Sequence, residues 1–114
     1  MKYSDFAGII ISLPECDNLD SFIAERGWQE WMDEYVGDDG SADKIVSILS
    51  AIWELKANPI KGIKKVCKLT NESIADEFFA PRRSVENWSS GDRESPDYVW
   101  MMIAYISFVE CGII

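Results

Sequence analysis

Four polar side chains on one short segment have the right types and spacing to read the edges of DNA bases: Arg82, Arg83, Glu86 and Asn87. An arginine pairs through two hydrogen bonds with guanine, and an asparagine pairs likewise with adenine. A glutamate accepts from the cytosine amino group. Four residues after Arg82, Glu86 can instead pair with that arginine and hold it. The two arginines fall at the start of a predicted helix and Asn87 one turn later. A helix lying in a major groove meets base edges with its N-terminal residues. The plain alternative for each side chain is a solvated helix surface.

No other chemistry is laid out along the chain. There is no His to act as a base, no nucleophile elbow and no Gly-rich phosphate loop. The carboxylates fall on helix surfaces and loops without a convergent pair. The chain is therefore read as a non-enzyme without a cofactor. With no His and no closely spaced cysteines, an ordinary zinc site is not expected. Gly37-Asp38-Asp39-Gly40 lacks the spaced oxygen ligands of a calcium loop and reads as a solvated turn.

The elements that must position the four side chains run from Thr70 to Pro96. Thr70 is a helix-start residue. Ile74, Ala75 and Phe78 mark the buried face of a first helix. Phe79, Ala80 and Pro81 form a corner, with Pro81 suited to the first turn of a second helix. Val85 and Trp88 point inward from that helix, with Trp88 locking it onto the first, and Gly91 ends it. Ser95-Pro96 opens the next helix.

Upstream, Tyr3 to Leu13 reads as a short helix burying Phe6, Ile9, Ile10 and Leu13, although its β-branched run also suits a strand. Asp17 or Asn18 caps a helix carrying Leu19, Phe22 and Ile23, closed by Gly27. Trp28, Trp31, Met32, Tyr35 and Val36 follow at helical spacing with acids on the far side. That stripe is either core packing or a partner-binding face. Ser41 caps a helix from Ala42 to about Lys56, buried along Ile45, Ile48, Leu49 and Ile52. Asn58-Pro59 breaks the chain, as a linker or as a tight corner. It divides an acidic helical region, 1–57, from a second region, 58–114. In the helix from Ile60 to Leu69, Lys61, Lys64, Lys65 and Lys68 make one basic stripe, which is either a solvated face or a phosphate anchor. Asp97 to Glu110 is apolar nearly all round, so a helix there must be covered on every side, by the first half or by a second subunit.

At 114 residues and 47% hydrophobic, the chain has the material for one compact all-α domain. Its net charge of −9 is unusual for a DNA binder. The charge is uneven: residues 1–57 carry 12 acids against 4 bases, a net of −8, whereas Ile60 to Arg93 carries 7 bases against 5 acids, a net of +2. No apolar run approaches the roughly 18 residues of a membrane span, and no secretory signal is read at the start. Cys16, Cys67 and Cys111, odd in number and widely spaced, read as reduced thiols of a cytoplasmic protein.

The run from Thr70 to Pro96 resembles the helix-turn-helix of phage repressor and Cro-like (XRE) proteins. Thr70, Ile74, Ala75, Phe78, Arg83, Ser84, Val85, Asn87, Trp88, Gly91, Arg93 and Pro96 meet that pattern without a gap. The ending VENWSSGDRESPDYVWMMIAY looks especially like small proteins of Gram-positive bacteria and their phages. Two positions depart from the pattern. Phe79 stands where Gly is usual, in a corner that takes a left-handed conformation, and Asn71 stands where Gln is usual. The resemblance implies a C-terminal helix-turn-helix with Arg82 and Arg83 at base-contact positions and Asn71, Ser84 and Arg93 at phosphate-contact positions. It implies a sequence-specific regulator, most simply a repressor of phage or mobile-element type, whose partner is double-stranded DNA read by a homodimer. The acidic half supports a different expectation on the same scaffold. It would be a protein-interaction module that binds a cationic protein and inhibits a nucleic-acid enzyme, in the manner of anti-CRISPR or anti-repressor proteins.

Overall fold

The computed structural model describes residues 1–114, all of them in helices, turns and loops with no strand. Seven α-helices follow in order: α1 (Tyr3–Ile11), α2 (Leu19–Ala24), α3 (Asp43–Trp53), α4 (Pro59–Cys67), α5 (Asn71–Phe78), α6 (Arg82–Ser90) and α7 (Asp97–Glu110). Short 3-10 helices occupy Leu13–Glu15 and Glu30–Tyr35.

The β-branched run at the start is a helix. Its turn puts Ile9 and Ile10 together in the core with Phe6 and leaves Ile11 in solvent. A strand would have put Ile9 and Ile11 on one side instead. The ring of Phe6 meets those of Tyr105 and Phe108 edge-on, at 5.5 and 5.6 Å, which seats α1 against α7. Asn18 is the cap of α2, its side chain accepting from the Ser21 amide at 2.8 Å. Phe22 is buried and tilts against Trp53 at 5.3 Å.

The aromatic stripe expected over 28–36 is divided. Gly27 turns the chain with φ 70°, and the segment after it winds as a 3-10 helix. That helix advances about 120° per residue instead of 100°, so the face predicted for an α-helix is spread around it. Trp31 and Met32 enter the core and Tyr35 is half-buried. Trp28 stays 61% exposed with its indole nitrogen donating to Asp33 Oδ1 at 2.8 Å, and Val36 is exposed too.

The buried stripe of α3 is as expected, with Leu55 joining it just past the helix end. The cap is different. Ala42 stands at the N-cap position with no side-chain hydrogen bond, and the Ser41 amide before it donates to Asp39 Oδ1 at 2.9 Å within the acidic turn.

Asn58-Pro59 makes a tight corner. Asn58 Oδ1 accepts from the Lys61 amide at 3.2 Å and caps α4, while its Nδ2 donates to the carbonyls of Trp88 and Ser89, both at 3.2 Å. Pro59 takes the first helical position, where no amide donor is needed. Gly62 then lets α4 lie directly on the end of α3, because a Cβ there would come within 2.3 Å of the Glu54 carbonyl oxygen. One apolar cluster holds every buried hydrophobic side chain, from Phe6 to Phe108.

The apolar helix α7 buries one face, Ile103, Ala104, Ser107 and Phe108, against α4 and α1. Tyr98, Met102, Ile106 and Val109 remain exposed on another.

Candidate nucleic-acid interface

The corner that presents Arg82 and Arg83 is built by α5 and α6, which pack on each other. Thr70 and Ser73 cap α5 reciprocally: Thr70 Oγ1 accepts from the Ser73 amide at 3.1 Å, and Ser73 Oγ accepts from the Thr70 amide at 2.9 Å. Ile74 and Ala75 are buried and Phe78 is half-buried. Phe79 then turns left-handed, with φ 53° and ψ 35°, and the Ala80 amide closes the turn onto the Ala75 carbonyl at 3.0 Å. The Phe79 side chain is 94% exposed. A left-handed phenylalanine costs about 1–2 kcal/mol of backbone strain, and here almost no burial offsets it.

Pro81 is extended and stands just before α6, so the helix begins at Arg82, one residue later than expected. Val85 is fully buried beneath it. Trp88 is half-buried, packed against the core on one side and lining an open cleft on the other. Gly91 ends α6 with φ 87°, its amide donating to the Asn87 carbonyl at 3.1 Å.

The predicted base-contact residues are brought to one face but are not equivalent. Arg82 is held by two carboxylates. Its Nε lies 3.3 Å from Glu86 Oε1, and its Nη2 lies 3.8 Å from Glu72 Oε2. Both pairs are largely exposed, where an ion pair contributes about 0–1 kcal/mol. Spacing of four residues pointed to the Glu86 partner. Glu72 comes from the preceding helix and only packing brings it in. Arg83 has no carboxylate partner. With Ser84, Asn87, Trp88, Arg93, Pro81 and Glu94 it lines an open cleft of about 560 Å³ between α6 and the loop after it. The Asn87 carbonyl also takes the Arg93 amide at 3.3 Å, which ties that loop to the helix.

The lysines of α4 do not form one free stripe. Lys64 is half-buried and its Nζ donates to Ser89 Oγ at 3.0 Å. Lys65 pairs with Glu54 at 3.0 Å. Lys68 ends the helix in a left-handed conformation, φ 56°. Lys61 and Lys68 are exposed and unpaired. An i, i+3, i+4 pattern places side chains on one helix face but says nothing of the carboxylates and hydroxyls that neighbouring elements bring to them. Asn71 is half-buried at the start of α5, and its carboxamide oxygen is buried without a hydrogen-bond partner.

Sequence reasoning missed Asn58 as the residue joining the α3–α4 corner to the end of α6. An Asn-Pro pair signals a break, and its side-chain amide gives no hint of the carbonyls it will meet. The first half gathers a different surface, an open cleft lined by Asp5, Glu30, Asp33 and Glu34 together with Met1, Lys2 and Trp31, in which the Met1 ammonium pairs with Glu34 at 2.7 Å. No three metal-ligating side chains converge, and no helix is long and apolar enough to cross a membrane. The chain matches no family model, no curated protein and no solved structure. Its role is argued from the geometry of this corner.

Proposed function

We propose that the protein is a sequence-specific DNA-binding regulator of helix-turn-helix type, acting most simply as a repressor that occupies a promoter. One observation carries this reading: Arg83, in no ion pair, shares an exposed cleft with Ser84, Asn87, Arg93 and Glu94 on a helix anchored to the core by buried Val85. Arg83 and Asn87 would meet base edges, and Ser84 and Arg93 would meet phosphates. Arg82 joins them by exchanging two weak surface ion pairs for a base or a phosphate. Lys61 and Lys68 add point charges to the backbone contact. One recognition helix reads only a few base pairs, so two copies act together. The exposed face of α7 supports that pairing, since it carries no charge from Tyr98 to Val109. Two chains of −9 would meet there with the least repulsion.

The test is retention of genomic fragments at graded salt. A regulator selects a fragment, and its affinity falls with salt on a log-log slope that reflects several phosphate contacts. Arg83→Ala should cost about 1–3 kcal/mol on that fragment and relax one base position. No retention at low salt, with Arg82 and Arg83 substitutions leaving the cellular phenotype intact, ends this reading.

A second reading is favoured by a separate observation. Four carboxylates line one cleft of the first half, close in sequence to the exposed Trp28. That surface suits a cationic protein partner. Reversing the charge of Glu30, Asp33 or Glu34, which line that cleft, would abolish function under this reading and leave it unchanged under the first.

A further inference from the structure

Two of the three cysteines meet although 44 positions separate them. Cys67 ends α4, Cys111 follows the last turn of α7, and their Sγ atoms lie 2.9 Å apart. The two helices pack along each other, so the fold itself holds the thiols together. Both cysteines are free. Cys111 is exposed and Cys67 half-buried, whereas half-buried Cys16 directly follows the 3-10 helix Leu13–Glu15 and has no thiol partner. Packing does not account for an exposed cysteine, since an unpaired cysteine chosen for packing is among the most buried residue types.

We propose that Cys67 and Cys111 form a reversible dithiol–disulfide switch whose substrate is a low-molecular-weight disulfide. Exposed Cys111, as the thiolate, attacks one sulfur of that substrate. A new bond forms to Cys111 Sγ, the substrate's own S–S bond breaks, and one small thiolate leaves and takes a proton from water. Cys67 then attacks Cys111 Sγ as it loses its proton, the Cys111–substrate S–S bond breaks, and the second small thiolate leaves and takes up that proton through water. Two protein thiols are oxidised by two electrons to one disulfide, and the small disulfide is reduced to two thiols. Accessibility sets the order. Burial and the neighbouring Cys111 sulfur also push the Cys67 thiol up, which keeps it protonated until it acts as the resolving group.

The bond would close a ring that contains α5 and α6 entire, tying the ends of α4 and α7 together behind the corner. Closing so long a loop restricts the unfolded chain. Oxidation therefore holds the corner more firmly, whatever the corner binds.

The experiment treats the full chain with oxidised glutathione, then labels free thiols, maps disulfide peptides by mass and records thermal unfolding. The expected result is a Cys67–Cys111 bond within one chain, a free Cys16, and a midpoint raised by roughly 5–15 °C. Excess dithiothreitol should reverse both changes. Cys67→Ser should trap Cys111 as a mixed disulfide with glutathione, and Cys111→Ser should leave Cys67 unmodified under the same conditions. If either variant fails to fold, the peptide map of the unsubstituted chain still decides. Three free thiols after oxidation of folded protein, a bond to Cys16, or a linkage between chains overturns the proposal.

Discussion

The corner of α5 and α6 and the first 57 residues treat charge in opposite ways. At the corner, opposite charges meet: Glu72 and Glu86 hold Arg82, and Arg83 and Arg93 line one open cleft with Glu94. In the first half, acids outnumber bases three to one, and four acids line a cleft with only Lys2 and the Met1 ammonium, paired to Glu34, to offset them. The acids there are tolerated because they are solvated, and screening limits their mutual repulsion to about a Debye length, ~8 Å at physiological salt. The comparison shows that a net charge of −9 is a sum over two unlike surfaces. Under the proposed function, a duplex approaching the corner would meet nearly balanced charge, with the acidic surface contributing mostly at long range.

The contrast breaks most readily where the halves touch. Gly62→Ala would drive a Cβ into the Glu54 carbonyl and part α4 from α3. We expect a loss of about 3 kcal/mol in denaturant unfolding, with probes in both halves reporting one common transition. Two separate transitions would mean that the regions are energetically independent.

Comparing the two arginines sharpens it next. If the proposed function holds, Arg82→Ala should cost about 1 kcal/mol less in DNA affinity than Arg83→Ala, because Arg82 must first leave two carboxylates. Equal losses in a fluorescence titration would show that those pairs do not restrain it.

Phe79→Gly should stabilise the protein by about 0.5–1 kcal/mol in thermal unfolding. The left-handed strain is relieved and little burial is lost, while part of the gain is returned as backbone entropy. A loss of DNA or protein binding in that variant, with the fold intact, would assign the exposed ring to a partner.

The smallest effect concerns Glu77. The Glu77 carboxyl, when protonated, donates a hydrogen bond to Glu110, and that bond and the neighbouring charge hold it above the usual range. The folded state thus holds that proton more tightly than the unfolded one. The stabilisation is full below the ordinary carboxylate pKa and is lost as pH rises through the raised value. At neutral pH two carboxylates face each other, so Glu77→Gln should raise the melting midpoint by no more than about 2 °C there, and by nothing at acid pH.

Much of the corner was legible because its signals are local. Thr70, Gly91 and Pro96 mark helix ends through their own backbone chemistry, and Val85 lies at the spacing of a buried face. The segment after Gly27 was misread because apolar spacing alone cannot tell an α-helix from a 3-10 helix when both bury Trp31 and Met32. The lysines of α4 were legible as a face but not as free charge, since Ser89 and Glu54 come from other elements.

By itself the sequence determined where most helices lie to within a residue or two, which of their faces are apolar and how charge is divided, since caps, periodicity and composition act over a few residues. Only the tertiary structure decided that Glu72 reaches Arg82, that Asn58 holds the end of α6, and that Cys67 touches Cys111. Those contacts join positions far apart in the chain. The packing of the whole core sets them, and no local pattern records it.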